Sequence, residues 1–276
     1  MKIGINHWAF GDKNVSDSFK LAKEAGFQSM ELNFAESGEI TANSTKSDMQ
    51  KIKQIADRIG IEISSMSTGL FWRYSFTSDK KEEREQAKKN TTKMLELASF
   101  IEVKTILVVP GHVWSFAPEA GIIPYDIAYD RSLKALTELA PIAEKYQVHI
   151  GIEHVWSKFL LSPLEYRDLI DKVGSKYLGA YFDVGNVLLY GFPEQWIRIL
   201  GKRIKAVHFK DFKTQVATLE GFCPLLYGDV NWQEVMQAFR EVKYDGYVTG
   251  ELFPPKQLPD QMIFDTAAAM KRIVKL

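Results

Sequence analysis

The chain has 276 residues, a length at which a single α/β barrel is common and a sizeable core can form. Lysine plus arginine equals aspartate plus glutamate at 35 each, so the sequence lacks the basic excess that nucleic-acid or membrane-surface binding usually needs. The single cysteine, Cys223, cannot form an intramolecular disulfide, and the N-terminus lacks the apolar run of a signal peptide. No apolar stretch approaches the ~20 residues of a membrane span. We therefore expect a cytoplasmic protein with a small-molecule partner, and no nucleic-acid or membrane partner.

Short apolar or β-branched runs alternate along the chain with segments of helical periodicity. The runs predict strands at 2–6, 28–32, 61–66, 104–109, 148–153, 178–183, 204–208 and 246–251. A helical segment follows each strand, which gives eight βα units. Eight consecutive parallel units close into a barrel more readily than they form an open sheet. The sequence therefore predicts an α/β protein of the (β/α)8 TIM-barrel class, organised as one domain over residues 1–276.

Several of the predicted helices have recognisable ends. Ser162, Pro163 and Glu165 combine a capping serine, a proline in the first helical position and a glutamate that completes a capping box. Glycines stand where C-terminal caps are expected: Gly26, Gly60 and Gly174.

The longer irregular segments all follow a strand rather than a helix. They cover residues 33–46, 67–78, 110–124 and 210–230. Because the strands of a barrel are parallel, these segments are expected at its C-terminal face. Active sites of this fold are built from the βα loops on that face.

Four acidic or imidazole residues stand at the last position of consecutive strand-like runs. They are Glu153, Asp183, His208 and Glu251, on the fifth to the eighth predicted strand. Because the strands of the barrel are parallel, these four side chains are expected at the same end of it. The three carboxylates, gathered beside a neutral imidazole, repel one another unless a divalent cation compensates their charge. This placement therefore predicts a metal site.

Sequence motifs around these residues carry a family resemblance that extends over essentially the whole chain. The chain resembles the xylose-isomerase-like TIM barrels, and within them the sugar and sugar-phosphate isomerase/epimerase group. The segments that resemble this group are Gly151-Ile152-Glu153, Tyr181–Asn186, Val207–Asp211, Gly228–Trp232 and Gly250-Glu251.

The resemblance implies a metal-dependent proton transfer beside a ketose carbonyl. Glu153, Asp183, His208 and Glu251 match residues that bind one divalent ion in this group, here expected to be manganese, cobalt, magnesium or zinc. The ion would hold the substrate oxygens and stabilise an enediolate. Glu153 and Glu251 match the pair that serves as base on one face of the substrate and acid on the other.

Three positions depart from the pattern of ketose 3-epimerases that act on free sugars. Asn186 stands where those enzymes have a histidine that contacts substrate, and Phe159 and Thr214 stand where they have glutamate and arginine. These departures argue against a free ketohexose as substrate. Lysines near the ligand-bearing strand ends favour an anionic substrate such as a sugar phosphate: Lys158, Lys210 and Lys213.

Further polar and aromatic residues are expected around the substrate. Glu31 ends the second strand, His112 follows the fourth, and Trp72 belongs to a set of aromatic residues that could wall a sugar site. His154 should point away from the pocket, because it follows a ligand on the same strand and successive side chains alternate. The predicted substrate-binding residues are therefore Asn186, Lys158, Lys210, His112, Glu31 and Trp72; the other aromatic candidates are Phe71 and Trp114, with His7 and Trp8 at the end of the first strand.

Alternative functions remain open from the sequence. A lyase resembling inosose dehydratase would begin with the same proton abstraction, and a non-catalytic barrel would bind a sugar or a partner. The superfamily also contains an apurinic-site endonuclease with three zinc ions, but Asn186 and Asn231 stand where its cluster takes histidines. A sugar or sugar-phosphate substrate and a possible homo-oligomer are the expected partners.

Overall fold

The computed structural model describes residues 1–116 and 121–276. Its strands in chain order are β1 (Lys2–Asn6), β2 (Ser29–Asn33), β3 (Glu62–Ser67), β4 (Thr105–Val108), β5 (His149–Glu153), β6 (Leu178–Asp183), β7 (Ile204–Phe209), β8 (Asp211–Phe212), β9 (Phe222–Cys223) and β10 (Tyr247–Gly250). Eight of them, all except β8 and β9, form a closed parallel barrel in the order β1-β10-β7-β6-β5-β4-β3-β2. The predicted (β/α)8 barrel is confirmed.

Helices pack around the outside of the barrel and bury its outward-facing apolar side chains. Within the described residues they are α1 (Val15–Ala25), α2 (Lys46–Ile59), α3 (Lys81–Phe100), α4 (Tyr125–Tyr146), α5 (Pro163–Val173), α6 (Pro193–Leu200), α7 (Trp232–Glu241) and α8 (Pro259–Ile273). Short 3₁₀ helices occur at His7–Phe10, Leu70–Trp72, Gly201–Arg203 and Leu219–Gly221. None of the helices in these parts of the chain is long and apolar enough to span a membrane.

The helix ends follow the signals in the sequence. The Ser162 side chain accepts a hydrogen bond from the Glu165 amide, and Pro163 opens α5. The Glu165 side chain does not complete the predicted capping box, because its Oε2 accepts a hydrogen bond from the Tyr125 hydroxyl at 2.6 Å. Gly26 and Gly60 end α1 and α2 in the left-handed conformation, with φ of 94° and 77°, which glycine adopts without steric cost.

The register of the sheet sets the relative height of the candidate ligands. Asp183 on β6 pairs with His208 on β7, and His208 pairs in turn with Thr249 on β10, two positions before Glu251. Glu153 pairs with Tyr181 on β6. All four ligand candidates therefore stand at the C-terminal end of neighbouring strands.

The irregular segments predicted at 33–46, 67–78, 110–124 and 210–230 follow β2, β3, β4 and β7, on this same face. Residues 117–120 of the third segment lie outside the described part of the chain.

The hairpin of β8 and β9 was not predicted. It lies in the fourth segment, where Asp211 accepts hydrogen bonds from the backbone amides of Leu226 and Val230 and from the Trp232 indole, which ties the loop down.

Candidate metal centre

Four side chains from β5, β6, β7 and the end of β10 converge at the C-terminal mouth of the barrel. Each of Glu153, Asp183, His208 and Glu251 offers one ligand atom, and these atoms all lie within 4.8 Å of one another. Nδ1 of His208 is 2.8 Å from Glu251 Oε2, 3.1 Å from Glu153 Oε1 and 3.8 Å from Asp183 Oδ2. All four residues are buried. The structure thus brings together the residues that the sequence predicts as a metal site.

Burial and mutual repulsion perturb the acids of this group. Burial raises the pKa of Glu153 to about 7, and the charge of Glu251 adds to this rise. Burial also raises the pKa of Asp183. Glu251 differs: burial alone would raise its pKa, but the charge of Lys210 and the close contacts to Lys210 and His208 outweigh burial and hold the pKa of Glu251 well below its usual value. Such closely spaced carboxylates are stable only with positive charge nearby.

The donor set fits a divalent cation. One imidazole nitrogen and three carboxylate oxygens are typical ligands of zinc, manganese and cobalt. Asp183 Oδ2 and Glu251 Oε2 are buried, and the polar groups nearest to them are the Lys210 ammonium and the His208 imidazole. Buried oxygens of this kind are costly unless a cation compensates them. Glu153, Asp183, His208 and Glu251 are therefore suited to hold a metal ion.

Lys210 supplies a positive charge from within the chain. Its ammonium group lies 2.7 Å from Glu251 Oε2 and 3.3 Å from Asp183 Oδ2, and the side chain is only 14% exposed. Burial alone would lower the pKa of Lys210, but Asp183 and the two glutamates outweigh it and hold the pKa above its usual range. Lys210 is thus a fixed cation at the edge of the ligand group.

Asn186 lies beside Lys210 and is partly committed to the loop that follows β6. Its backbone amide donates to Asp183 Oδ1 at 2.7 Å, and its side-chain NH₂ donates to the carbonyl of His154 at 3.0 Å. Its side-chain oxygen lies 3.4 Å from Lys210 Nζ. The amide oxygen is the part of Asn186 that faces the ligand group.

Glu31 lies on the inner side of the ligand group, away from the mouth. It is fully buried, and its Oε1 accepts a hydrogen bond from His208 Nε2 at 3.1 Å. Ser65 Oγ donates to the other carboxylate oxygen at 2.6 Å, and Asn6 and Tyr181 donate to the same carboxylate. The sequence places Glu31 at the end of the second strand, whereas the structure has it in the middle of β2, Ser29–Asn33.

The remaining predicted substrate residues lie in the loops around the mouth. Trp72 packs edge-on against Phe116 with ring centroids 5.5 Å apart, and Trp114 lies 4.7 Å from the same ring. Lys158 is exposed in the loop after β5. His112 is buried, and its backbone amide donates to Thr77 Oγ1 at 2.9 Å. Among the described contacts, none joins these residues to the four ligand candidates.

Two of the three positions that depart from the free-sugar epimerase pattern make contacts within the protein. Phe159 is buried and packs on Tyr125, with ring centroids 5.6 Å apart. The backbone amide and hydroxyl of Thr214 both donate to Asp229 Oδ2, at 2.7 and 2.6 Å.

His154, predicted to point away from the pocket, packs between aromatic rings behind β5. Burial lowers the pKa of His154 to about 4.

Sequence reasoning did not identify Tyr181 as part of the site. Its hydroxyl reaches Glu31, and its ring lies 4.5 Å from that of His208. A signal was present, because Tyr181 stands two positions before Asp183 and side chains two apart on a strand share a face. Tyr181 therefore belongs to the layer beneath the candidate metal centre.

A sequence-family model described as the xylose isomerase-like TIM barrel matches residues 19–273. The chain belongs to this family. The matched range contains all four candidate ligands of the xylose isomerase-like barrel described above, and the resemblance inferred from the motifs is confirmed.

Relatives of this xylose isomerase-like barrel include sugar epimerases. The chain is 25% identical over 262 residues to a putative L-ribulose-5-phosphate 3-epimerase, SgbU, of Escherichia coli K12, covering 92% of this chain and 90% of that protein. A solved L-ribulose 3-epimerase superimposes with a TM-score of 0.82 at 14% identity, covering 99% of this chain and 94% of the other. The IolI protein with a bound zinc atom superimposes with a TM-score of 0.79 at 18% identity, covering 100% and 98%.

Proposed function

We propose that this protein is a divalent-metal-dependent isomerase or epimerase that transfers a proton beside the carbonyl group of a ketose or ketose phosphate. The observation that carries the proposal is the convergence of one imidazole and three carboxylates within 4.8 Å at the mouth of the barrel. The epimerases among the relatives support a sugar substrate. One of them is named for a sugar phosphate and another for a free sugar.

One ion of manganese, cobalt, magnesium or zinc would be held by Glu153, Asp183, His208 and Glu251. When bound, the ion would supply Lewis-acid stabilisation of the negative charge that develops on the carbonyl oxygen of the substrate. The zinc atom bound by the IolI protein, whose fold superimposes on this one, supports a metal role for this barrel.

Glu153 and Glu251 are the proposed acid–base pair. They stand at the ends of β5 and β10, which are separated in the barrel by β6 and β7. The two carboxylates therefore approach the centre of the mouth from different directions. A ketose held between them presents opposite faces of its α carbon to the pair, so one glutamate removes the proton and the other returns a proton to the opposite face.

Lys210 and Asn186 are proposed to bind substrate oxygens. Lys210 Nζ and the amide oxygen of Asn186 lie 3.4 Å apart at the edge of the ligand group. An ammonium group in this place suits a hydroxyl, an oxyanion or a phosphate. Trp72, His112 and Lys158 are proposed as outer contacts, contributed by the loops that surround the mouth.

Exchange of the α proton with deuterated water tests this function. Protein loaded with Mn²⁺ is incubated with a panel of ketoses, ketose phosphates and inososes, and a chelator-treated sample serves as the control. We expect metal-dependent gain of one deuteron in at least one ketose or ketose phosphate, with the sugar otherwise unchanged in mass. A product lighter by one water would instead assign the dehydratase-like reaction. Absence of exchange across the panel would contradict the proposal.

A further inference from the structure

A buried carboxylate stands directly behind the candidate metal-binding imidazole. Glu31 and His208 are both fully buried, and Nε2 of His208 lies 3.1 Å from Glu31 Oε1. The other imidazole nitrogen, Nδ1, is the one that faces the carboxylates of Glu153, Asp183 and Glu251. Glu31 therefore touches the side of the ring that points away from the candidate metal position.

The chemistry of the carboxylate fixes the direction of this hydrogen bond. An ionised carboxylate can only accept hydrogen bonds, so Nε2 of His208 must carry the hydrogen that points to Glu31. In a neutral imidazole the second nitrogen then has a free lone pair. Since Nδ1 faces the three other acids, the lone pair is directed at the place where a cation would bind.

The surroundings of Glu31 keep it in place and ionised. Asn6 donates to Oε1, Ser65 donates to Oε2 at 2.6 Å, and Tyr181 also donates to Oε2. With His208, four donors surround one carboxylate, which is the pattern that stabilises a buried negative charge. The ring of Tyr181 also lies 4.5 Å from the ring of His208. The orientation of the imidazole is therefore set from beneath.

We propose that Glu31 is a positioning residue that contacts no substrate. It holds the His208 ring by its Nε2–H and thereby presents Nδ1 to the metal ion. When a metal-binding histidine donates a hydrogen bond of this kind to a carboxylate, the basicity of the imidazole rises and its orientation is fixed. The inference rests on the proposed function, because it requires that His208 bind a metal.

The test is the metal affinity of Glu31→Gln, a substitution that keeps the size of the side chain and removes its charge. Co²⁺ binding is measured by its visible absorption and by competition with a chelator. We expect the variant to bind Co²⁺ about 10- to 100-fold more weakly than wild type. Glu62→Gln is the matched control, because Glu62 lies at the opposite end of the barrel in contact with Lys2. Its affinity should equal that of wild type.

The outcomes separate this inference from the proposed function. If wild-type protein binds no Co²⁺, both the proposed function and the role of Glu31 are contradicted. Equal affinity of wild type and Glu31→Gln, with the variant folded by circular dichroism, would overturn only the role of Glu31.

A measurement on wild-type protein covers the case in which the variant fails to fold. Nitrogen-15 NMR of Zn²⁺-loaded protein with labelled histidines reports which imidazole nitrogen carries hydrogen. We expect a protonated, hydrogen-bonded Nε2 and a metal-bound Nδ1 on His208. Coordination through Nε2 would overturn the inference.

Discussion

Glu153 and Glu251 are each proposed to bind metal and to transfer a proton, and a single substitution separates the two roles. Glu153→Gln or Glu251→Gln retains an oxygen ligand and removes the group that accepts or donates the proton. We expect each variant to keep its fold and measurable metal binding but to lose about 10²–10⁴-fold in rate, the usual contribution of general acid–base catalysis. The rate is measured as metal-dependent proton exchange on the identified substrate. A folded, metal-loaded variant with near-normal turnover would rule out the two-carboxylate mechanism.

Lys210 is expected to stabilise the metal-free protein. Its ammonium group lies 2.7 Å from Glu251 and 3.3 Å from Asp183, so Lys210→Met leaves two buried acids without their nearest cation. Removing one partner of a buried ion pair is strongly destabilising. We expect the melting temperature of the metal-free variant to fall by on the order of 5–10 °C.

Added Mn²⁺ should restore more stability to Lys210→Met than to wild type, since the ion replaces the missing charge. Lys213→Met is the control, because Lys213 follows Lys210 by three residues in the chain but is exposed. Its melting temperature should match that of wild type with and without metal. Equal melting behaviour of both lysine variants would show that Lys210 is not the counter-charge of the acids.

The position of Glu31 marks the limit of sequence reasoning at the level of single residues. Strand alternation predicts which face a side chain takes, and Glu31 does point into the barrel. Alternation does not give the depth at which a side chain meets its neighbours across the barrel. That depth depends on the tilt and stagger of the strands, which bring β2 and β7 together at the level of Glu31 and His208.

Among the elements, the barrel strands were predicted to within two residues at each end. The predicted runs 28–32 and 246–251 correspond to β2 (Ser29–Asn33) and β10 (Tyr247–Gly250). Buried parallel strands are continuous apolar runs, which are easily recognised in a sequence. The hairpin of β8 and β9 was missed because two-residue strands are too short to show a period. It is held instead by the contacts of Asp211, which no local pattern reveals.

Close packing between β6 and β7 leaves no room for a side chain at one glycine, which a substitution can test. A Cβ atom at Gly179 on β6 would lie 2.3 Å from the carbonyl oxygen of Arg203 and 2.5 Å from Lys205 Cγ. The backbone oxygen cannot move without disturbing the strand pair that carries Asp183 and His208. We expect Gly179→Ala to lower the free energy of unfolding by about 1–3 kcal/mol, measured by urea denaturation.

Gly69→Ala provides the matched control for this substitution. Gly69 is exposed, and a Cβ atom there would meet no atom within 4 Å. Its φ of −82° is accessible to alanine. We expect unchanged or slightly increased stability. If both alanine variants unfold at the same urea concentration as wild type, the contact between β6 and β7 is not as tight as the distances indicate.

For the whole molecule, the distribution of lysines bears on the choice between neutral and phosphorylated sugars. Lys210 lies at the ligand group, whereas Lys158 and Lys213 are exposed in the surrounding loops. An ammonium group at the mouth favours an anionic substrate, although the net charge of the protein is zero. We expect sugar phosphates and inorganic phosphate to compete with the substrate in the exchange assay. Turnover of neutral ketoses that is unaffected by phosphate would contradict this preference.

The metal centre itself is tested most directly by a crystal structure of protein grown with Mn²⁺, with the ion located by its anomalous scattering. The account predicts one ion bound by Glu153, Asp183, His208 Nδ1 and Glu251 at the C-terminal mouth of the barrel. The same experiment on His208→Ala should show little or no ion, because the only nitrogen ligand of the group is lost. An ion bound elsewhere, or these four side chains directed to different sites while Mn²⁺ is present, would contradict the central claim.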